Sequence, residues 1–319
     1  MILSPEVLTI LIVNGVFFLL ASVAFFLSIK ISLYWDINAT TKRQYQLERE
    51  SFLVSTIIKY IFIIKIPLFL FFIFTLDKIS NLIVGAMCGV GVVNATEYGV
   101  YLLIIKILNI YIFGLWLTIY YLNIKHQHLP YTKIKFELFI LSYILFIVEL
   151  ILMWSMFSSI DTEKMVSCCG TLFSSNSAST IGNIIRIKPS ISLSAFYGTA
   201  ILMLIFYKFR VKYLFAIINL FFLIVSLSTL ISFFGTYIYQ LPTHHCPFCF
   251  LQSDYNYIGY LIYTLLFLGS FYGIRSGIIE ILNEDTTNSY RYSLLFNLLY
   301  LLVVTSYPII YFIKNGVWL

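Results

Sequence analysis

The sequence predicts an all-α, polytopic integral membrane protein: a bundle of about eight transmembrane helices with both termini on the outer, periplasmic side. Three observations carry that expectation. The chain is 61% hydrophobic and 11% charged, with a mean hydropathy of +0.94, whereas a soluble domain is about one quarter charged. Such a chain lacks the polar surface to face water all round, and a chain crossing lipid must satisfy its backbone internally. Its apolar residues fall into eight runs, each near the roughly 20 residues that a bilayer requires. Its Lys and Arg residues sort between alternate loops, as topology-setting charges do. The length leaves no room for a large soluble domain, so residues 1–319 read as one transmembrane domain.

The first run covers about residues 7–33. No Lys or Arg precedes Lys30, and no small-residue cleavage site follows, so the run reads as a retained helix rather than a secretory signal. Lys30, Lys42, Arg43 and Arg49 separate it from the second run, at about 52–76. The third run, at 98–123, leads into Lys125, Lys133 and Lys135, and the fourth lies at 138–160. The fifth is the shortest, at 191–207, and is followed by Lys208, Arg210 and Lys212. The sixth, seventh and eighth lie at 213–235, 257–274 and 292–313, with Arg275 and Arg291 between the last two. The opposite loops hold only Lys78, Lys164, Arg186 and Lys188. The richer set belongs in the cytoplasm, which places both termini outside. The net charge of +6 is thus spread over short loops, and no nucleic-acid-binding surface is expected. The expected surroundings are a lipid bilayer, the bacterial inner membrane.

All five cysteines fall in the outer loops at 77–97, 161–190 and 236–256. Disulfides form and persist on that side. Cysteines serving as small apolar residues would lie mostly inside spans, and none of these clearly does. Cys88 stands beside Met87 in a glycine-rich loop, "GAMCGVGVVNATEYG". That loop reads as a re-entrant turn, or as backbone made permissive so that a cofactor or partner can approach. Cys168 and Cys169 are vicinal in a loop of about thirty residues, long enough to suggest function or disorder. They can form a strained, exchange-prone disulfide, bind a soft metal, or each pair elsewhere.

The third cysteine loop reads "LPTHHCPFCFLQ". Cys246 and Cys249 come within bonding reach if the segment enters a helix, and Pro247 suits a first helical turn. A helix N-terminus and the neighbouring His244 and His245 would favour the thiolate. The same residues suit copper(I) or zinc, with Met87 and Cys88 as further donors. A disulfide that only pins the loop is the third reading.

Inside the spans, Lys65 and Glu149 come near mid-depth and are expected to pair, while Lys106 lies nearer the outer side, where it can approach Glu149 or an outer cofactor. The structural reading is one buried ion pair that fixes helix register, with Lys59 and Lys106 reaching to the interfaces. No histidine falls inside a span, so integral b-type haem is not expected.

Cys246-Pro-Phe-Cys249 resembles the dithiol of thioredoxin-like and disulfide-oxidoreductase proteins. Outer-face cysteine pairs on a helical bundle resemble the membrane disulfide-generating enzymes and the vitamin K epoxide reductase family. The resemblance implies that a dithiol near the outer face passes electrons to a quinone while a second pair exchanges with a soluble partner; here Cys246 and Cys249 are expected to exchange with Cys168 and Cys169 or with a soluble thioredoxin-like partner. Eight spans exceed the four or five of those families, and five cysteines do not divide into two pairs. The expected function is therefore thiol–disulfide electron transfer with a periplasmic thioredoxin-like partner. The alternatives are soft-metal handling, supplied by a metal-carrying protein, and a structural subunit with stapled loops.

Overall fold

The structure, a computed structural model, describes residues 2–37, 39, 41–163, 165–166 and 188–319. Among them the regular structure is helical, with no strand. In chain order the elements are α1 (Pro5–Tyr34), α2 (Lys42–Ser80), the short α3 (Gly89–Asn94), α4 (Tyr98–Lys125), α5 (Thr132–Ser159), α6 (Pro189–Phe209) and α7 (Lys212–Thr229). A π-helical turn at Leu230–Phe234 joins α7 to α8 (Gly235–Tyr239), and α9 (Ile258–Ile281) and α10 (Thr287–Asn315) follow. Taking α7 and α8 as one span, eight helices among the described residues are long and apolar enough to cross a membrane. The chain is a polytopic helical membrane protein.

Each apolar run lies on one of these helices, and several helices outrun their apolar stretch. α2 begins at Lys42, well before its apolar run, because Thr41 accepts a hydrogen bond from the Gln44 backbone N–H and so caps a polar first turn. Its 39 residues would measure about 58 Å as straight helix, longer than a hydrocarbon core of about 30 Å, so its polar turns stand outside the bilayer. Pro67 lies inside the same helix and removes one internal hydrogen bond. Many outward-facing Leu, Ile, Val and Phe side chains are exposed, such as Leu19, Phe26, Phe52, Ile151 and Leu302, as a lipid-facing surface requires.

The chain divides into two compact units, residues 1–84 with 92–166, and residues 85–91 with 167–319. In the first, α1 packs on α2 and α5, and α4 packs on α2 and α5, which closes a four-helix ring. Its core is aromatic, with Phe62, Phe113, Trp116, Phe136 and Phe139 buried together. In the second, α6 packs on α7, α7 on α9, α9 on α10, and α10 returns to α6. Close approach in that unit depends on small residues, as is common between membrane helices. A Cβ at Gly273 of α9 would stand 2.2 Å from Asn219 Cγ of α7. Asn219 sits there because Asn297 Nδ2 donates to its Oδ1 at 2.8 Å, with Ser293 beside them. All three are fully buried.

Candidate functional site: a buried three-thiol cluster

Within the second unit, the loop between α8 and α9 folds back on the segment 85–91. Its geometry differs from the expected helix entry. Cys246 lies in irregular chain, and Cys249–Leu251 and Ser253–Tyr255 each form one 3-10 turn. The α-helix begins only at Ile258. A short 3-10 turn lacks the aligned dipole of a long helix, so no helix N-terminus stabilises a Cys246 thiolate. The Phe248 backbone N–H does point at Cys246 Sγ, 3.5 Å away. Such a donor favours the charged sulfur.

Aromatic hydroxyls hold this loop. Tyr239, the last residue of α8, donates its hydroxyl to the Cys246 carbonyl and accepts the Phe250 N–H at 3.1 Å. Tyr263 of α9 donates to the Pro247 carbonyl at 2.7 Å. Gly259 lets the Cys249 turn seat on α9, because a Cβ there would meet Phe250 Cδ2 at 2.4 Å and Leu251 Cδ2 at 2.9 Å. Gln252 Nε2 donates to the Met87 carbonyl at 3.1 Å and ties the two segments together.

The result is a cluster of three thiols. Cys88, Cys246 and Cys249 are buried, at 0%, 1% and 6% exposure. Their sulfurs lie within 4.8 Å of one another, and Cys88 and Cys246 are separated by 3.6 Å. A disulfide needs about 2.05 Å, so this spacing is that of thiols. A tetrahedral ion with metal–sulfur bonds of about 2.3 Å sets its sulfurs roughly 3.8 Å apart, close to the Cys88–Cys246 separation.

The two histidines divide. His245 turns away from the sulfurs, and its Nδ1 bonds the Ile231 carbonyl at 2.9 Å within the π-helical turn. Since a carbonyl only accepts, Nδ1 carries the proton. His244 packs edge-on against the Tyr239 ring at 4.3 Å. Its Nε2 is buried with no hydrogen-bond partner among the described residues. Burial lowers its pKa, opposed by the Cys88 thiolate, which raises it, and reinforced by His245. His244 is therefore the histidine that feels the cluster, and it is neutral at neutral pH.

Met87 contributes its backbone carbonyl and leaves its side chain 76% exposed. Cys168 and Cys169 lie outside the described residues. Lys65 and Glu149 belong to the first unit, where they meet at 2.8 Å with Lys106 beside them. Sequence reasoning missed Tyr239, Tyr263, Gln252 and Gly259. With 25 tyrosines and 15 glycines in the chain, nothing in their spacing marks these four. No family model, curated protein or solved structure matches the chain.

Proposed function

We propose that this membrane protein binds and hands on a soft metal ion, copper(I) or zinc, at a site formed by Cys88, Cys246 and Cys249. One observation carries the reading. Three buried sulfurs, two of them 158 residues apart in sequence, converge at a spacing that suits one ion. Thiolate is a ligand that soft and borderline metals prefer. The Lys and Arg distribution supports a site on the outer side of the membrane, which we take to be a bacterial inner membrane. A metal-carrying protein on that side is the expected partner.

The test is metal content. Purified protein should hold about one equivalent of copper(I) or zinc, lost in Cys88→Ser, Cys246→Ser and Cys249→Ser alike. A protein that takes up neither metal after reduction and reconstitution overturns the reading.

Thiol–disulfide exchange, the function expected from the sequence, is the second reading, because the Cys88 and Cys246 sulfurs are neighbours and Cys249 lies within 4.8 Å of both. Oxidation would join two of the thiols and pass two electrons to a quinone, leaving the third to resolve a mixed disulfide. Burial weighs against a protein partner, since the attacking sulfur must be reached. A mixed disulfide that accumulates in Cys249→Ser, in protein that binds no metal, would establish this reading in place of the first.

A further inference from the structure

The first unit contains a charge cluster that does not balance. Lys65 of α2 and Lys106 of α4 both donate to one oxygen, Glu149 Oε1 of α5, at 2.8 and 2.7 Å. Asn109 donates to the other oxygen at 2.6 Å. Lys65 also donates to Asn14 Oδ1 of α1 at 2.9 Å. All five residues are buried, none more than 6% exposed. Two ammonium groups against one carboxylate leave one positive charge, in helices whose surroundings are hydrocarbon.

Hydrogen bonding is incomplete as well, with Asn109 Oδ1 a buried acceptor that has no partner among the described residues and Lys106 holding donors to spare. An ammonium has three donors and no acceptor. Glu149 is the one protein acceptor that Lys106 meets among the described residues, so two of its N–H groups have no protein partner. The Phe72 ring lies 4.4 Å from Lys106 and the Phe146 ring 4.0 Å from Lys65. Rings solvate a cation but carry no net charge. An uncompensated charge at this depth is costly, so the surplus must be answered by an anion or by loss of a proton.

The space beside the cluster selects between ligands by size. A cavity of about 10 Å³ is lined by Asn14, Lys65, Lys106 and Glu149, with Phe72 and Phe113 among its apolar walls. That is little room beyond what a bound water needs, which favours a compact ion over phosphate or sulfate. Glu149 faces the same cavity, but both its oxygens are already bonded to donors, and the field of the cluster as a whole remains positive.

We propose that Lys65 and Lys106 hold a monovalent, single-atom anion of the halide class, with chloride as the ligand expected in water. Bound there, the anion brings the cluster to neutrality and takes up the Lys106 donors. The site belongs to the first unit and stands independently of the thiol cluster.

The experiment uses the full-length protein in detergent. Thermal unfolding is followed in sodium gluconate as gluconate is replaced by chloride, bromide or sulfate at constant ionic strength. Chloride and bromide should raise the midpoint saturably, and sulfate should not. Lys106→Met retains a neutral Lys65–Glu149 pair, so it should fold and unfold no lower than the unaltered protein in gluconate. Its apparent chloride affinity should fall at least about tenfold, since one close charge in a low-dielectric site is lost. Lys65→Met supplies the same test should Lys106→Met fail to fold. A midpoint indifferent to chloride means that a lysine has given up its proton, and overturns the proposal. So does a chloride response that survives in Lys106→Met or Lys65→Met, or one that sulfate reproduces.

Discussion

Replacing Glu149 by glutamine should be the most damaging single change in the first unit. The substitution keeps the shape and an acceptor but removes the only negative charge between Lys65 and Lys106, whose ammonium groups lie 2.8 and 2.7 Å from the same oxygen. Breaking a buried pair costs about 3–5 kcal/mol, because the other charge is stranded. Here two charges are stranded at once, and two like charges about 4 Å apart repel by roughly 4 kcal/mol at an effective dielectric of 20. The loss should therefore reach or exceed the top of the single-pair range. Lys65→Met is a different case. It gives up charged hydrogen bonds to Glu149 and Asn14, each worth about 1.5–3 kcal/mol. It also removes the surplus charge and leaves Lys106 paired with Glu149, so its net cost should be far smaller. The double variant Lys65→Met with Glu149→Leu strands Lys106 and should not recover. The triple variant that adds Lys106→Met should. The assay is the fraction of monodisperse protein left after a heating series in detergent, in gluconate buffer. If Lys65→Met is as damaging as Glu149→Gln, or the double variant recovers without the third change, then the cluster is a simple pair and Lys106 stands outside it.

Three further outcomes follow from the second unit. Gly259→Ala would place a Cβ 2.4 Å from Phe250 Cδ2; it should shift the Cys249 turn, cost about 1–3 kcal/mol as overpacking does, and lower metal occupancy with the protein still in the membrane. Tyr239→Phe keeps the ring contacts but leaves the Phe250 N–H without its acceptor; a loss of about 1–3 kcal/mol in the thermal midpoint is expected, together with weaker metal binding in a chelator competition. Burial lowers the His244 pKa from 6.5, so below that pH the unfolded chain binds a proton that the fold does not. Stability should fall as pH drops below 6.5 and level off under the lowered value, with no contribution above 6.5. Comparing unfolding midpoints of the unaltered protein and His244→Ala at pH 7.5 and 5.5 checks this, and an equal loss in both would remove His244 from the account.

The spans were legible because hydrophobic length is a one-dimensional property, and each apolar run lies on a helix long enough to cross. The helix ends were less so. Lys42 to Ser51 reads as polar loop, yet it is helical because Thr41 caps it and water suits its polar residues as well as a loop would. Lys65 and Glu149 were legible as a pair because a charge in hydrocarbon demands a partner, and the same demand brings Lys106 to Glu149. Asn14 and Asn109 were not picked out, although an amide inside an apolar run carries the same signal more weakly. The thiol cluster was half legible. Cys246 and Cys249 announce themselves by spacing, but the register that brings Cys88 to them depends on Gln252 holding the Met87 carbonyl, a contact between side chain and backbone that leaves no periodic trace. The helix expected after Cys246 was a propensity argument from Pro247. It lost to tertiary contacts, since the Tyr239 and Tyr263 hydroxyls take backbone groups that a regular helix would have used.

The adjacent histidines show why nearness in sequence is a poor guide to chemistry here. His245 adjoins Cys246 and was the natural candidate to activate it. In the fold its Nδ1–H serves the Ile231 carbonyl within the π-helical turn. That bond anchors the loop to α7 and α8 and spends the imidazole on architecture. His244, one residue further from the thiol, is left with Nε2 buried beside Tyr239 and subject to the field of Cys88. A general base for a thiol must reach solvent or a partner to exchange its proton, whereas a metal ligand needs only a lone pair held at a fixed place. His244, with its Nε2 shielded, is a poor base on that count, whereas three shielded sulfurs within 4.8 Å of one another are placed to hold an ion, and this is the physical ground for ranking metal binding ahead of disulfide exchange.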